Sequence, residues 1–195
     1  MVGMVAEFAD GAGALVVWQR LTTEVVRRGE AFDLVEDVVL RPDGEREVKA
    51  HVVVPPSVAV LALDERDRVL LTRQWAYPHR CTQWRLPGGP VAPADADPDA
   101  AARRELLERT GLEADGWERV GVVHGADSVT DHAEHLYLAT GLRERAEGGG
   151  AVWRPAFDRA LELVDRGAIP HAGSAHALLA VALRRTRRRG GLEVA

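Results

Sequence analysis

The chain has 195 residues, 46% hydrophobic and 28% charged, with a formal net charge of −5. That is an ordinary globular composition, long enough for one domain with a sizeable core. The acidic balance argues against a general nucleic-acid binder, and the single cysteine, Cys81, excludes an internal disulfide or a cysteine-rich zinc site.

The start, "MVGMVAEFADGAGA", carries Glu7 and Asp10 without a basic stretch, so it does not read as a secretory signal. No apolar run reaches the roughly 18–20 residues that span a bilayer. The expectation is a disordered tip at 1–13, a cytoplasmic location and no membrane partner. Residues 14–54 read as a β-rich extension. Within it, "FDLVEDVVL" (32–40) and "EREVKAHVVV" (45–54) flank the turn signal "RPDG". "SVAVLAL" (57–63) and "RVLLTRQW" (68–75) predict a second hairpin joined by "DERD". Residues 76–97, rich in Pro and Gly, predict a long functional loop.

A helix follows. Asp97 suits its N-cap, Pro98 its first position and Gly111 its stop. Strands are expected at 117–125 and 135–142, a flexible turn at 143–150, and amphipathic helices at 155–167 and 174–189. The basic run "RRTRRR" reads as a helix end whose cations suit the dipole, and 190–195 as a tail. The whole predicts a mixed sheet flanked by helices.

The stretch "RRELLERTGL" (103–112) carries the chemistry. On a helix, Glu108 lies about 60° to one side of Glu105 and residue 109 about 40° to the other. Carboxylates on such an arc suit Mg²⁺ or Mn²⁺, which take hard oxygen ligands, bridge phosphates and prepare water for attack. The upstream "LPGG" (86–89) lets backbone approach a ligand closely.

These residues resemble the box of the Nudix hydrolases, G-x5-E-x7-R-E-U-x-E-E-x-G-U, where U is bulky and apolar. Gly89, Arg104, Glu105, Leu106, Glu108, Gly111 and Leu112 match it. The segments "VVVPPSVAVLALDERDRVLLTRQWAYP", "TDHAEHLYLATGL" and "ALELVDRGAI" look like the ADP-ribose pyrophosphatase branch. The resemblance spans roughly residues 30–185 and implies an α/β (α+β) fold. That fold is an α/β/α sandwich over 55–189 with a mixed sheet, preceded by the 14–54 extension, which in this branch commonly helps make a homodimer. It also implies hydrolysis of the pyrophosphate bond of a nucleoside diphosphate derivative. Glu105 and Glu108 would hold Mg²⁺ or Mn²⁺ beside the backbone of Gly88 and Gly89, with Arg104 orienting the glutamates.

The sequence departs from the pattern at several places. No glutamate stands at the early box position, where Asp95 or Asp97 is the nearest acid. The last box glutamate is Arg109, and a unit charge about 4 Å from a dication costs about 8 kcal/mol at an effective dielectric near 20. Glu105 and Arg109 instead suit an i,i+4 ion pair. "TDH" puts His132 where relatives carry a glutamate, with Glu134 nearby, so the water-activating base is expected among Glu105, His132 and Glu134. Ala76 and Arg85 replace residues that tend to contact the nucleotide. Trp75, Tyr77 and Trp84 are candidates to stack on a ring or to fill the core, and Arg85 with Arg109 to hold a diphosphate. The alternatives to a hydrolase are a degenerate domain that binds a nucleotide metabolite without cleaving it, and an enzyme redirected in a specialised pathway.

Overall fold

A computed structural model describes residues 17–145 and 150–190. The expected disordered tip, the centre of the 143–150 turn and the tail beyond Gly190 lie outside the described residues. The chain forms two compact units that divide after Val53.

The first unit is an antiparallel meander of β1 (Gln19–Arg28), β2 (Asp33–Leu40) and β3 (Arg46–Val53). The turn at 41–44 sits where the sequence places it, with Gly44 at φ +87°. Only β2 buries alternate residues, Val35, Asp37 and Val39. Thr23 and Arg20 satisfy the Asp37 carboxylate. Leu21, Val25, Val26, Phe32 and Val48 are exposed.

In the second unit, β4 (Ser57–Ala62) is the centre of a four-stranded sheet ordered β7-β4-β9-β8. Its partners are β7 (Gly88–Pro90), β9 (Glu134–Glu144) and, beyond β9, β8 (Leu112–Val123); the β4–β9 pair is parallel. A smaller antiparallel sheet has β5 (Leu71–Ala76) between β6 (Cys81–Arg85) and β10 (Val152–Trp153). Helices α1 (Pro98–Thr110), α2 (Phe157–Asp165) and α3 (Ala172–Gly190) complete the unit.

The period-2 geometry of β4 divides the core. Val58, Val60 and Ala62 pack with Ala101, Ala102 and Leu106 of α1. Ala59, Leu61 and Leu63 pack with Phe157 and Ala160 of α2 and Ala177, Leu178 and Val181 of α3. An apolar side chain buried on either face contributes about 1.5–3 kcal/mol against exposure. The expected sandwich is therefore present, with α1 on one face of the sheet and α2 and α3 on the other.

Two expectations are corrected. β4 and β5 do not pair as a hairpin: one bridge, Leu63 to Val69, joins the residues between them, and the strands belong to different sheets. The continuous apolar run of β4 is that of a strand buried on both faces, and β7 and β9 take its two edges. Residues 76–97 are not a long loop. A 3₁₀ turn at Tyr77–His79, β6 and β7 occupy half of it, and 91–97 is the longest stretch outside them. Trp84, within β6, packs on Trp153 at 5.6 Å between ring centres and belongs to the core rather than to a ligand.

Candidate active site

The ladder registers create the site. Parallel pairing puts Ser57 beside Glu134, and antiparallel pairing puts Pro90 beside Ser57 and Gly89 beside Val58. The starts of β4 and β9 and the short β7 thus meet at one end of the sheet. A cavity of about 230 Å³ lies there, lined by Ser57, Gln74, Arg85, Gly88, Gly89, His132, Glu134 and His171, with Val54 and Pro55 at its rim.

Glu134 is 8% exposed and points to the α3 face, the side on which Leu136 joins the core. Burial pushes its carboxyl up to about 7, and Arg85 opposes the shift. His171 stands with Nε2 3.6 Å from Glu134 Oε1. Its Nδ1 accepts from the Ser174 backbone N–H at 3.3 Å and lies 2.9 Å from Ser174 Oγ, which itself accepts from Leu86 N–H at 3.0 Å. Nδ1 is therefore an acceptor, and the ring proton sits on Nε2, toward Glu134. Burial pulls this imidazole down to about 4, with Arg85 and His132 adding to the effect. At neutral pH the pair is a neutral histidine beside a carboxyl near its midpoint, rather than an ion pair. His132 precedes β9 but reaches the same cavity, with Nε2 2.9 Å from Ser57 Oγ; burial lowers its pKa as well.

Glu105 occupies the opposite face, on α1. Asp97 caps this helix through Ala100 N–H at 2.8 Å, and Gly111 ends it at φ +73°. Tyr137 of β9 donates to Asp99 in the first turn, at 2.5 Å, and fixes the helix to the sheet. Glu105 is 2% exposed. Arg104 Nη1 donates to its Oε1 at 2.8 Å and Arg109 Nε to its Oε2 at 3.1 Å. Gly89 closes a third side, since a Cβ there would stand 2.6 Å from Glu105 Cδ. Arg104 also donates to both oxygens of Asp95, to Glu108 Oε2 at 3.0 Å and to Pro90 O. Those hydrogen bonds hold the Asp95 carboxyl below its ordinary range and keep the guanidinium charged. Of the two acids near the early box position, Asp97 is committed to capping and Asp95 to Arg104.

The other expected residues are dispersed. Arg85 lines the cavity and donates twice to Gln83 Oε1. Arg109 does not line it and instead pairs with Glu105. Trp75 and Tyr77 are 61% and 81% exposed and lie outside the cavity wall. Sequence reasoning missed His171, Gly173 and Ser174. The available signal was a glycine in the first turn of a helix, where capping does not call for one.

A divalent ion on Glu105 and Glu108, which the resemblance implies, does not fit these residues. Each Glu105 oxygen accepts from a guanidinium N–H, and the cation between the two carboxylates is Arg104. Mg²⁺ keeps several waters in an octahedral shell, and a carboxylate this enclosed has no room for one. Among the described residues no three His, Cys, Asp or Glu side chains are grouped to hold a metal.

Comparison with known proteins agrees with the fold. The NUDIX domain family matches residues 53–172. The chain is 32% identical over 130 residues to an ADP-ribose pyrophosphatase of Mycobacterium tuberculosis, covering 65% of this chain and 61% of that protein. It is 34% identical over 154 residues to a CMP-5'-(N-acetyl-N-hydroxy-3-aminopropyl)phosphonate hydrolase of Streptomyces rubellomurinus, covering 75% and 73%. The crystal structure of an ADP compounds hydrolase superposes with a TM-score of 0.77 at 20% identity, over 92% of this chain and 99% of the other, which bears on the fold alone. With the family match covering more than half of its length, the chain belongs to the Nudix hydrolase family.

Proposed function

We propose that this chain hydrolyses the pyrophosphate bond of a nucleoside diphosphate derivative such as a nucleotide sugar, an ADP-ribose-like compound or a dinucleotide. The observation that carries the reading is the cavity at the strand starts. There Glu134 faces His171, His132 and Arg85 beside the Gly88–Gly89 backbone. Relatives named for ADP-ribose and for a CMP-linked phosphonate support the class of substrate rather than one member of it.

Glu134 is the base in this reading. A carboxylate with its pKa near 7 is well matched to taking a proton at neutral pH. Water adds to one phosphorus, its proton passes to Glu134, and the bridging P–O bond breaks, giving a nucleoside monophosphate and a phosphate ester. His171, held by Ser174, orients the carboxylate. Arg85 neutralises phosphate charge, and the Gly88–Gly89 backbone admits the diphosphate. Trp75 and Tyr77 offer exposed rings for the base or sugar. Nudix hydrolases generally use divalent metal ions. Here Mg²⁺ or Mn²⁺ enters as the counter-ion of the diphosphate, as part of the substrate.

The exposed apolar residues of the first unit support a homodimer. No described helix is long and apolar enough to cross a membrane, and the composition suits the cytoplasm without a nucleic-acid partner. The filled Glu105 carboxylate favours one second reading, a domain that binds the nucleotide without cleaving it. A panel of nucleoside diphosphate compounds, incubated with Mg²⁺, Mn²⁺ or chelator and resolved by chromatography, separates the two. Release of two phosphate-bearing products supports hydrolysis; saturable binding with no product from any compound overturns it.

A further inference from the structure

We propose that Arg109 replaces the resident divalent ion of the box, so that the substrate-free protein holds no metal on Glu105. The inference concerns the free protein and stands whether or not the hydrolase reading does. Four features carry it. Glu105 is buried, each of its oxygens accepts from a guanidinium N–H, Gly89 is packed against its carboxyl, and Glu108 reaches only Arg104. A buried carboxylate needs a counter-charge, and here the chain supplies it covalently. Arg109 sits one turn after Glu105, the spacing and order that favour a Glu–Arg pair on a helix. Arg104 is anchored from outside by Asp95 and Pro90 O, so its charge stays beside Glu105 as well. The α1 site therefore serves as a structural charge pair, and the charge of Glu105 that would draw a free dication is already balanced. This separates α1 from the proton chemistry, which lies on the other face of the sheet around Glu134.

The test is a Mn²⁺ titration of the substrate-free full chain, read by electron paramagnetic resonance, with circular dichroism to confirm folding. The native chain is expected to leave the Mn²⁺ signal that of the free ion. Arg109→Glu is expected to bind one Mn²⁺ at least about a hundredfold more tightly, because a cation is exchanged for a carboxylate in contact distance. Arg109→Gln, which removes the charge without adding a ligand, is expected to gain about tenfold. If Arg109→Glu unfolds the helix, the Arg109→Gln result decides. One tightly bound Mn²⁺ on the native chain, lost in Glu105→Gln, overturns the proposal. So does a folded Arg109 variant that binds no more Mn²⁺ than the native chain.

Discussion

Gly173, in the first turn of α3, is packed against the carboxyl of Glu134 on β9, so closely that a Cβ at 173 would stand 2.5 Å from Glu134 Cδ. The atoms it would meet are the far end of a flexible side chain, so Gly173→Ala turns the carboxylate aside more than it damages the core. The expected outcome is a kcat lowered about tenfold to a hundredfold, as for an approximately 1 Å misplacement of a catalytic group, with a melting temperature within about 4 °C of the native one. Steady-state kinetics with thermal melts checks this; an unchanged kcat would remove Glu134 from the chemistry.

Glu134 also predicts how stability changes with pH. Its folded-state pKa is raised from 4.5 to about 7. Its stabilising contribution is therefore fully present below about 4.5 and lost as pH rises through about 7. Glu134→Gln should match the native chain at pH 4 and exceed it by about 2–3 kcal/mol at pH 8 in urea melts. If Glu134 is the base, kcat/KM of the native chain should rise with pH near 7, and the same substitution should abolish that rise. A native profile flat between pH 6 and 8 would count against the base assignment.

His171 has the opposite sign. Its pKa falls from 6.5 to about 4 on folding, so its contribution is present above 6.5 and is lost as pH drops through about 4. His171→Asn, which keeps a polar, hydrogen-bonding side chain without the titration, should flatten the decline in stability between pH 6.5 and 4. Denaturant midpoints at pH 7, 5.5 and 4 read this directly.

Trp75 and Tyr77 are exposed beyond the cavity wall. If they stack on the substrate, Trp75→Ala should raise KM about 5- to 150-fold, the loss of roughly 1–3 kcal/mol of stacking, with kcat little changed. An unaltered KM for every accepted substrate would assign the ring to another role.

Phe32 and Val48 are large apolar side chains exposed on the first unit. A double Phe32→Asp, Val48→Asp variant should halve the mass measured by light scattering, since two charges in a buried interface cost far more than its apolar area returns. A native chain that is already monomeric at tens of micromolar would exclude the homodimer.

Much of this site was legible because its signals are local. Asp97, Pro98 and Gly111 bracket α1 in the sequence, and the structure shows the cap and the left-handed stop. Arg109 four residues after Glu105 announced the ion pair that is present. β6 and β7 were hidden because Pro and Gly read as loop, although β7 needs glycine to lie against β4. The partnership of Glu134 with His171, Gly173 and Ser174 was illegible for a different reason. It depends on the start of α3 docking against the start of β9, which no spacing within either segment encodes.

The parallel pairing of β4 with β9 also bears on how the chain is made. His132 and Ser57, hydrogen-bonded in the cavity, are 75 positions apart in the sequence. Until the ribosome has delivered β9, β4 can pair only with the three residues of β7, and its other edge is bare. That edge belongs to "SVAVLA", an uncharged apolar run, the kind that templates association between chains. The arrival of β9 thus brings Glu134 to the site and caps an aggregation-prone edge in one event. Substitutions that weaken β9 should appear first as lost soluble yield, before any loss of activity per folded molecule.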